Sequence, residues 1–301
     1  MSQDLPSQMT QATVIATFSR RMRIRLPDGK PVNSRIKGKQ LKVVCGDRVL
    51  AEPMENESDW MITEICPRKN ELRRPNMRGA VKVLAANIDL LLVVAAATPK
   101  ADWYIVDRYL CAAENMGARA AVIFNKIDLA DADDEFADYA AIGYDTLRCS
   151  ATTAENVARI GALIQQQTAI IVGQSGVGKS SIINTLLGAS TLRTAEISDK
   201  TSEGRHTTVN SEMLELSGGG VVIDSPGVRD YAPALNDVSD VLHGFREIAA
   251  TGQSCRFANC RHLREPGCAV QDGVSSSAIN PRRYESYRRL LALTEKLDRQ
   301  L

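Results

Sequence analysis

The sequence predicts a multi-domain α/β protein in three parts: a small N-terminal β-barrel, a mostly parallel α/β domain and a helical, metal-binding C-terminal module. Three observations support this division. Short β-like runs separated by Gly, Pro and Asn signals occupy the first 65 residues. Apolar strand-like runs then alternate with helix-like stretches. Cysteine and histidine residues finally cluster in the last quarter of the chain. We place the three domains at residues 1–70, 71–232 and 233–301.

The composition is typical of a soluble, cytoplasmic protein. The chain has 301 residues, and no stretch approaches the roughly 18 apolar residues of a membrane span. Its first ten residues lack the charged-then-apolar form of a signal peptide. Seven cysteines, an odd number, favour metal binding in a reducing compartment over a disulfide framework. We therefore expect a cytoplasmic protein that has no membrane partner.

The N-terminal domain is predicted to be a basic five-stranded barrel, which is the profile of an oligonucleotide-binding (OB) fold. From Met22 to Leu26, apolar residues alternate with Arg23 and Arg25, so the two arginines should face outward. An exposed basic linker, residues 66–80, is expected to follow the barrel. The predicted strands are residues 12–18, 22–26, 41–44, 47–52 and 60–65.

The net charge of +1 conceals a strongly basic N-terminal segment. Between Gln11 and Cys45, nine Lys or Arg residues oppose one acid, Asp28, which leaves the segment with a charge of +8. Such a charge attracts polyanions, and RNA is the predicted partner; the alternative is that these cations only keep a small domain soluble. Because Phe18 and Trp60 are the only large aromatic residues among the first 65, phosphate contacts should dominate and added salt should weaken binding.

The central domain alternates strands and helices, which predicts a parallel sheet covered by helices. Ligand-binding residues in such sheets are expected at the carboxyl ends of the strands. The predicted strands are residues 88–96, 120–124, 144–149, 169–172, 213–216 and 221–223, and the predicted helices are residues 103–116, 154–166 and 180–187.

A guanine-reading motif, Asn125-Lys126-Ile127-Asp128 of the form N-K-x-D, follows the second of these strands. The Asp128 carboxylate would accept hydrogen bonds from N1–H and the 2-amino group of guanine, a pair of donors that adenine lacks. Asn125 would contact the other edge of the base, and Lys126 would pack along its plane. Ser150 and Ala151 resemble the short loop that GTPases set against the guanine carbonyl.

A phosphate-binding loop of the form G-x-x-x-x-G-K-S joins the strand at 169–172 to the helix that follows it. Its glycines permit backbone torsions and a close approach that let successive N–H groups surround a phosphate. The lysine would reach the β- and γ-phosphates, and the Ser180 hydroxyl would bind Mg²⁺. The nucleotide-binding residues predicted here are Gly173, Gln174, Ser175, Gly176, Val177, Gly178, Lys179, Ser180 and Ser181.

Two further loops are predicted to respond to the γ-phosphate. The first contains Thr207 and Thr208, of which we assign Thr208 to Mg²⁺ with Thr207 as the alternative. The second has the form D-x-x-G, in which Asp224 would hold Mg²⁺ through water and the Gly227 N–H would contact the γ-phosphate.

The residue that orients the attacking water is expected to be unusual. Many GTPases place a glutamine directly after D-x-x-G, but Val228 occupies that position here. His206 is the nearest polar substitute and is our predicted catalytic residue, the alternative being a surface histidine in a flexible loop. Without a positioned glutamine, hydrolysis should stay slow until a partner orders the site.

The order of the motifs indicates a circular permutation. The N-K-x-D motif precedes the phosphate loop, whereas GTPases usually have the reverse order. Domain termini usually lie close together, so joining them and cutting the chain elsewhere preserves the core. The cut falls after the D-x-x-G loop, and the second switch therefore leads directly into the C-terminal module.

The C-terminal module is predicted to bind zinc after a helix at residues 236–250. Three thiolates and one imidazole form a closed Cys₃His set in the spacing C-x4-C-x-H-x5-C, as structural Zn²⁺ sites require. The predicted ligands are Cys255, Cys260, His262 and Cys268. The remaining cysteines, Cys45, Cys66, Cys111 and Cys149, are expected to be small buried residues.

A final helix at residues 281–301 carries a second group of cations. These residues form either a modest basic surface or a solvated helix face, two readings that the sequence leaves open. They are Arg282, Arg283, Arg288 and Arg289.

Together these motifs resemble those of the ribosome small-subunit-dependent GTPase family (RsgA, also called YjeQ) over nearly the whole chain. The shared features are the basic barrel, the permuted motifs NKID, GQSGVGKSS, GRHTT and DSPG, and the Cys₃His module. The resemblance implies a GTPase that the small ribosomal subunit stimulates. It also implies a checkpoint role in late maturation of that subunit, the release of assembly factors and contact with ribosomal RNA by a monomer. It further implies catalysis by His206 and zinc binding by the Cys₃His set. Thr152 departs from the lysine common in other GTPases, which affects only the detail of the base contact.

Three rival interpretations remain from the sequence. The chain could be a nucleotide-regulated RNA-binding protein in which hydrolysis is incidental, and a His206→Ala change would then leave stimulated turnover unchanged. It could be an ATPase, in which case GTP would fail to outcompete ATP. The zinc site could also be a redox switch that releases its metal under mild oxidant.

Overall fold

The structure is a computed structural model, and it describes residues 9–19, 21–38, 40–55, 57–75, 81–132, 134–188, 209–225, 235 and 237–298. Within those ranges, no helix is long and apolar enough to cross a membrane.

The N-terminal domain is a closed five-stranded barrel, as the sequence predicts. Its strands pair in the order β1-β2-β3-β5-β4, and β4 pairs with β1 to close it. Small apolar side chains such as Val14, Ile24 and Ile62 fill its core. The strands are β1 (Thr10–Phe18), β2 (Met22–Arg25), β3 (Pro31–Ile36), β4 (Arg48–Pro53) and β5 (Trp60–Ile65).

The third strand differs from the prediction, which placed it at residues 41–44. Pro31–Ile36 forms the strand instead, although a serine, Ser34, takes one of its inward positions and donates to the Met22 carbonyl. Residues 41–44 form no strand but lead into a turn, in which the Asp47 N–H donates to the Val44 carbonyl at 3.2 Å and the buried Asp47 carboxylate accepts the Val44 N–H at 2.8 Å. The alternation of apolar and polar residues therefore failed to predict this strand, because a polar side chain, Ser34, points inward and forms a hydrogen bond there.

A hairpin, β6 (Glu71–Pro75) and β7 (Val81–Ala86), replaces the described part of the predicted exposed linker. Arg68 is largely buried, and its guanidinium contacts the Asp47 carboxylate at 2.7 Å and the Glu71 carboxylate at 2.5 Å. Leu72 of β6 lies in the core beneath the central sheet. The segment is thus a packed connection between the two domains.

The central sheet has the order β10-β9-β8-β11-β13-β12, in which all strands except β12 are parallel. Apolar cores lie on both faces of this sheet, as doubly covered parallel sheets require. Its strands are β8 (Leu90–Ala96), β9 (Arg119–Asn125), β10 (Asp145–Arg148), β11 (Thr168–Gly173), β12 (Val209–Glu215) and β13 (Val221–Asp224).

Four helices cover the central sheet, and three of them were predicted. Asp102 caps α1, since its carboxylate accepts the Tyr104 and Ile105 N–H groups. Helix α2 was missed because its buried face consists of only Phe136 and Tyr139. The helices are α1 (Trp103–Met116), α2 (Asp134–Ala141), α3 (Val157–Ile164) and α4 (Lys179–Leu187).

The barrel and the central sheet are continuous. Strand β1 of the barrel pairs antiparallel with β12, so that Ala16 lies opposite Glu212 and Thr17 opposite Ser211. Arg25 of β2 adds an ion pair to Glu215 at 2.5 Å. A single backbone ladder therefore runs from the barrel into the α/β domain.

The C-terminal module contains four described helices. The predicted helix at 236–250 is two helices in the structure. The chain breaks because Gly244 packs against Cys111, where an added Cβ would lie 2.1 Å from its Sγ, and because Phe245 turns into the module's core in an extended conformation. The helices are α5 (Val238–His243), α6 (Arg246–Gly252), α7 (Ala269–Ser275) and α8 (Pro281–Asp298).

Both interpretations of the last helix, a basic surface or a solvated face, are wrong for two of its four arginines. Arg283 is buried, with 2% of its side chain exposed, and contacts the Asp107 carboxylate at 2.7 Å and the Glu247 carboxylate at 2.8 Å. Arg282 contacts the same Asp107 at 2.8 Å. Only Arg288 and Arg289 face solvent, and both pair with a glutamate of their own helix.

Candidate nucleotide site and metal centre

The phosphate loop adopts the conformation that its glycines were predicted to allow. Gly173 has φ of 136°, and an added Cβ would lie 2.2 Å from the Val94 carbonyl oxygen. Gly178 has φ of 94°, and its Cβ would lie 2.2 Å from the Asn125 amide nitrogen. Any side chain at these two positions would push the loop away from its neighbours.

Helix α4 begins directly after this loop. Its first turn carries Lys179, Ser180 and Ser181, of which the two serines are exposed. The Lys179 ammonium folds over the loop and donates to the carbonyls of Gly173 and Gln174 at 2.8 and 2.7 Å. Ser175 and Gly176 of the loop are exposed and Val177 is buried, and the helix N-terminus that follows them is a favourable position for an anion such as phosphate.

The N-K-x-D residues contact the phosphate loop directly. The Asn125 amide donates to the Val177 carbonyl at 2.9 Å, and Asn125 itself is buried. The Lys126 ammonium donates to the Gly176 carbonyl at 2.8 Å. Two motifs separated by about fifty residues therefore form one site, at the ends of β9 and β11, which have β8 between them.

The base-recognition side is assembled from a neighbouring loop. The Ala151 N–H donates to the Asn125 side-chain oxygen at 3.0 Å, next to the fully buried Ser150. The Ile127 N–H donates to the Cys149 carbonyl. Asp128 is exposed, and no described residue forms an ion pair with it. Its carboxylate is therefore available to the donors of a base.

Two contacts of this site had no sequence signal. The Lys126 ammonium also donates to the Thr98 carbonyl at 2.7 Å, and Gln174 of the phosphate loop accepts the Asp102 N–H at 3.3 Å. The loop that enters α1 thus packs on the phosphate loop. Because both contacts use backbone groups, no pattern of side chains could have indicated them.

The magnesium side is described only in part. Asp224 ends β13, which is paired with the phosphate-loop strand β11, and Ser225 behind it is buried. The predicted His206, Thr207, Thr208 and Gly227, together with Val228, lie outside the described residues.

The predicted metal ligands meet at one point. The ligand atoms of Cys255, Cys260, His262 and Cys268 all lie within 4.8 Å of one another. The Nδ1 atom of His262 is 3.5 Å from the sulfurs of Cys255 and Cys268, which are 3.9 Å apart. A tetrahedral zinc with Zn–S bonds of about 2.3 Å places its sulfurs about 3.8 Å apart, so this donor set fits the metal.

The protein holds these ligands in a prepared geometry. Burial lowers the pKa of His262, which favours the neutral ring that binds metal. The Tyr284 hydroxyl donates to the His262 carbonyl and the Tyr287 hydroxyl donates to the Arg261 carbonyl. The Glu265 carboxylate accepts hydrogen bonds from three backbone N–H groups of the ligand loop. Burial raises the pKa of this carboxyl, but the backbone hydrogen bonds outweigh burial and lower the pKa to about 2.

The other cysteines are separate from this cluster. Cys45, Cys111 and Cys149 are buried as predicted, whereas Cys66 is half-buried. Burial raises the pKa of Cys149 to about 12, which leaves it a neutral thiol. These residues pack as small apolar groups.

Comparisons with known proteins agree with this arrangement. A family model described as RsgA GTPase matches residues 65–233. A small ribosomal subunit biogenesis GTPase RsgA from Actinobacillus succinogenes is 35% identical over 300 residues, covering 96% of this chain and 86% of the relative. The protein of that name from Marinobacter nauticus is 40% identical over 257 residues, covering 83% and 73%.

Solved structures share the fold. YjeQ from Thermotoga maritima superimposes with a TM-score of 0.74 at 26% identity, over 95% of this chain and 98% of that protein. YloQ, described as a circularly permuted GTPase, has a TM-score of 0.72 at 23% identity and covers 98% of each chain. The permuted order of the motifs, their meeting at one site and these matches lead to one conclusion: the chain belongs to the RsgA GTPase family and hydrolyses GTP.

Proposed function

We propose that this GTPase acts in biogenesis of the small ribosomal subunit, as the name of its curated relatives states for them. It binds the subunit, and the subunit stimulates GTP hydrolysis. Hydrolysis serves as a checkpoint in late maturation and releases assembly factors. The protein works as a cytoplasmic monomer.

The observation that carries the nucleotide part is the contact between Asn125 and the phosphate loop. This contact makes base recognition and phosphate binding parts of one rigid unit. In our proposal Asp128 and the loop at Ser150 and Ala151 bind guanine, while the phosphate loop and Lys179 bind the phosphates. Mg²⁺ binds Ser180 and Thr208, with Asp224 acting through water. The magnesium ion would neutralise charge that develops on the transferred phosphoryl group. At a separate site, the Cys₃His set holds a structural zinc.

The hydrolytic half of the site is proposed to depend on the partner. His206 would orient the attacking water because Val228 cannot. We propose that the subunit orders the loop of His206, which converts a site that only binds GTP into one that hydrolyses it.

The barrel is the proposed contact with ribosomal RNA. Of the described cations in its basic segment, residues 11–45, Arg25 and Arg35 form ion pairs with acidic side chains. The others are exposed and have no described ion-pair partner, so they remain available to phosphates. They are Arg21, Arg23, Lys30, Lys37 and Lys42.

GTP turnover with and without purified small subunits tests the proposal. We expect the subunit to raise kcat by at least tenfold, and His206→Ala to remove most of this increase while GDP affinity changes less than twofold. His243→Ala, an exposed histidine in α5, is the matched control and should behave as the unmodified protein. Equal turnover with and without subunits would refute the checkpoint, and full stimulation of His206→Ala would refute the role of His206.

A further inference from the structure

Strand β12 lies between the barrel and the strand that carries Asp224. On one side Ala16 and Thr17 of β1 lie opposite Glu212 and Ser211. On the other side Glu212 lies opposite Asp224 of β13. Adjacent strands are about 4.8 Å apart, so only about 10 Å separates the barrel strand from the predicted Mg²⁺ aspartate.

A buried contact between two hydroxyl groups joins β12 to the residue that follows β13. The Ser211 and Ser225 hydroxyls share a hydrogen bond of 2.9 Å, and the Ser211 hydroxyl also lies 2.7 Å from the Asn210 carbonyl oxygen. Both residues are buried, with 6% and 7% of their surface exposed, and Thr17 on the far side of Ser211 is equally buried. Ser225 follows Asp224 directly and is the second residue of D-x-x-G. The contact therefore fixes the point at which β13 ends and the second switch begins.

The barrel in turn fixes Ser211. Three pairs of residues join β1 to β12, from Ala16 and Glu212 to Phe18 and Val209. The ion pair between Arg25 and Glu215 ties β12 to a second barrel strand. Strand β12 is thus held by β1 of the barrel over its first half and by β13 over its second half, and the two ladders meet at Glu212.

We propose that Ser211 is a positioning residue for GTP hydrolysis. Its hydroxyl holds Ser225, and through Ser225 the backbone that presents Asp224 to magnesium, while the barrel strand β1 holds Ser211. The barrel is then a structural part of the magnesium side of the site. This inference rests on the proposed role of Asp224.

If Asp224 is positioned less firmly, the dependence of GTP hydrolysis on Mg²⁺ concentration should change. An aspartate that holds Mg²⁺ through water contributes less when its carboxylate is displaced, because its hydrogen bonds to the coordinated water depend on distance and angle. Loss of the hydroxyl contact should therefore raise the Mg²⁺ concentration that hydrolysis requires. It should leave GDP binding, which depends on the phosphate loop and N-K-x-D, almost unchanged.

The test measures GTP turnover of the full chain as a function of Mg²⁺ concentration. We expect Ser211→Ala to raise the half-saturating Mg²⁺ concentration about three- to tenfold and to change GDP affinity by less than twofold. Ser211→Thr, which keeps a hydroxyl, should restore most of the Mg²⁺ response. Ser34→Ala is the matched control, since it removes an equally buried hydroxyl within the barrel that does not contact β12.

Two further variants make the outcome unambiguous. Ser225→Ala should reproduce the effect of Ser211→Ala, and the double variant should be no worse than either single one, because all three lack the same contact. Asp224→Ala tests the role on which the inference rests, and an unchanged Mg²⁺ response in that variant would refute that role itself. If Asp224→Ala shifts the response and Ser211→Ala does not, or if Ser34→Ala shifts it equally, Ser211 is not a positioning residue.

Discussion

The central domain is joined to its two neighbours in opposite ways. The barrel is attached through a backbone ladder between β1 and β12, together with ion pairs near the surface. The C-terminal module is attached through buried charged side chains: Asp107 of α1, which is fully buried, binds both Arg282 and Arg283. The Tyr139 hydroxyl donates to the same carboxylate at 2.6 Å.

The two junctions should differ in how they respond to change. A ladder distributes its hydrogen bonds over backbone groups, so no single side chain is essential. A buried ionic cluster depends on each member, because removal of one leaves its partners charged and desolvated. Burial alone would lower the pKa of Arg283, but Asp107 and Glu247 raise it well above its ordinary value. Each charge of this cluster is therefore stabilised in its ionised form by the opposite charges beside it.

Among the variants that test this contrast, Arg283→Ala should have the largest effect on the free energy of unfolding. It removes one of the two arginines that pair with the fully buried Asp107 and the arginine that pairs with Glu247, and it should destabilise the protein by about 3–5 kcal/mol. The measurement is urea unfolding followed by Trp103 fluorescence, in a Trp60→Phe background so that Trp103 is the only tryptophan. Trp103 is a suitable probe because Arg282 lies 6.0 Å from its ring.

The control for Arg283→Ala is Arg289→Ala on the same helix, where the side chain is 62% exposed. Its effect should stay within about 0.5 kcal/mol. Equal effects of the two variants would mean that the ionic junction contributes no more than a surface pair, and the contrast between the junctions would fail.

The same contrast explains what the sequence could and could not predict. The Cys₃His cluster and the phosphate loop are local, so spacing alone predicted the grouping of Cys255 to Cys268 and the G-x-x-x-x-G-K-S motif. The role of Arg283 was hidden because its partner Asp107 is 176 residues away and no local pattern connects them. Likewise, nothing in the sequence of β12 indicated that a barrel strand would pair with it. Long-range partners are set by topology, and a single sequence carries little information on topology.

Arg68→Ala tests a side-chain contact on the barrel side. Arg68 donates through two nitrogens to Asp47, which is fully buried, and its loss should destabilise the barrel by about 2–3 kcal/mol. The readout is urea unfolding followed by Trp60 fluorescence, since Trp60 lies on barrel strand β5. Lys69→Ala, at the next position, removes a pair whose two side chains are half exposed and should change stability by less than about 1 kcal/mol. If Lys69→Ala were as harmful as Arg68→Ala, the buried Asp47 would not be the cause.

Arg25→Ala should have the smallest effect, because it leaves the ladder between β1 and β12 intact. The Arg25–Glu215 pair is partly exposed, and its loss should cost about 0.2–1 kcal/mol. Hydrogen exchange of the β1 and β12 amides measures the junction directly, and their protection should fall by less than about tenfold. Arg119→Ala, which removes an equally exposed pair on the far side of the sheet, should leave these amides unchanged. A collapse of protection in Arg25→Ala would show that one ion pair, rather than the ladder, holds the barrel. The barrel would then be attached in the same way as the C-terminal module, and the proposed route from β1 through Ser211 to Asp224 would lose its support.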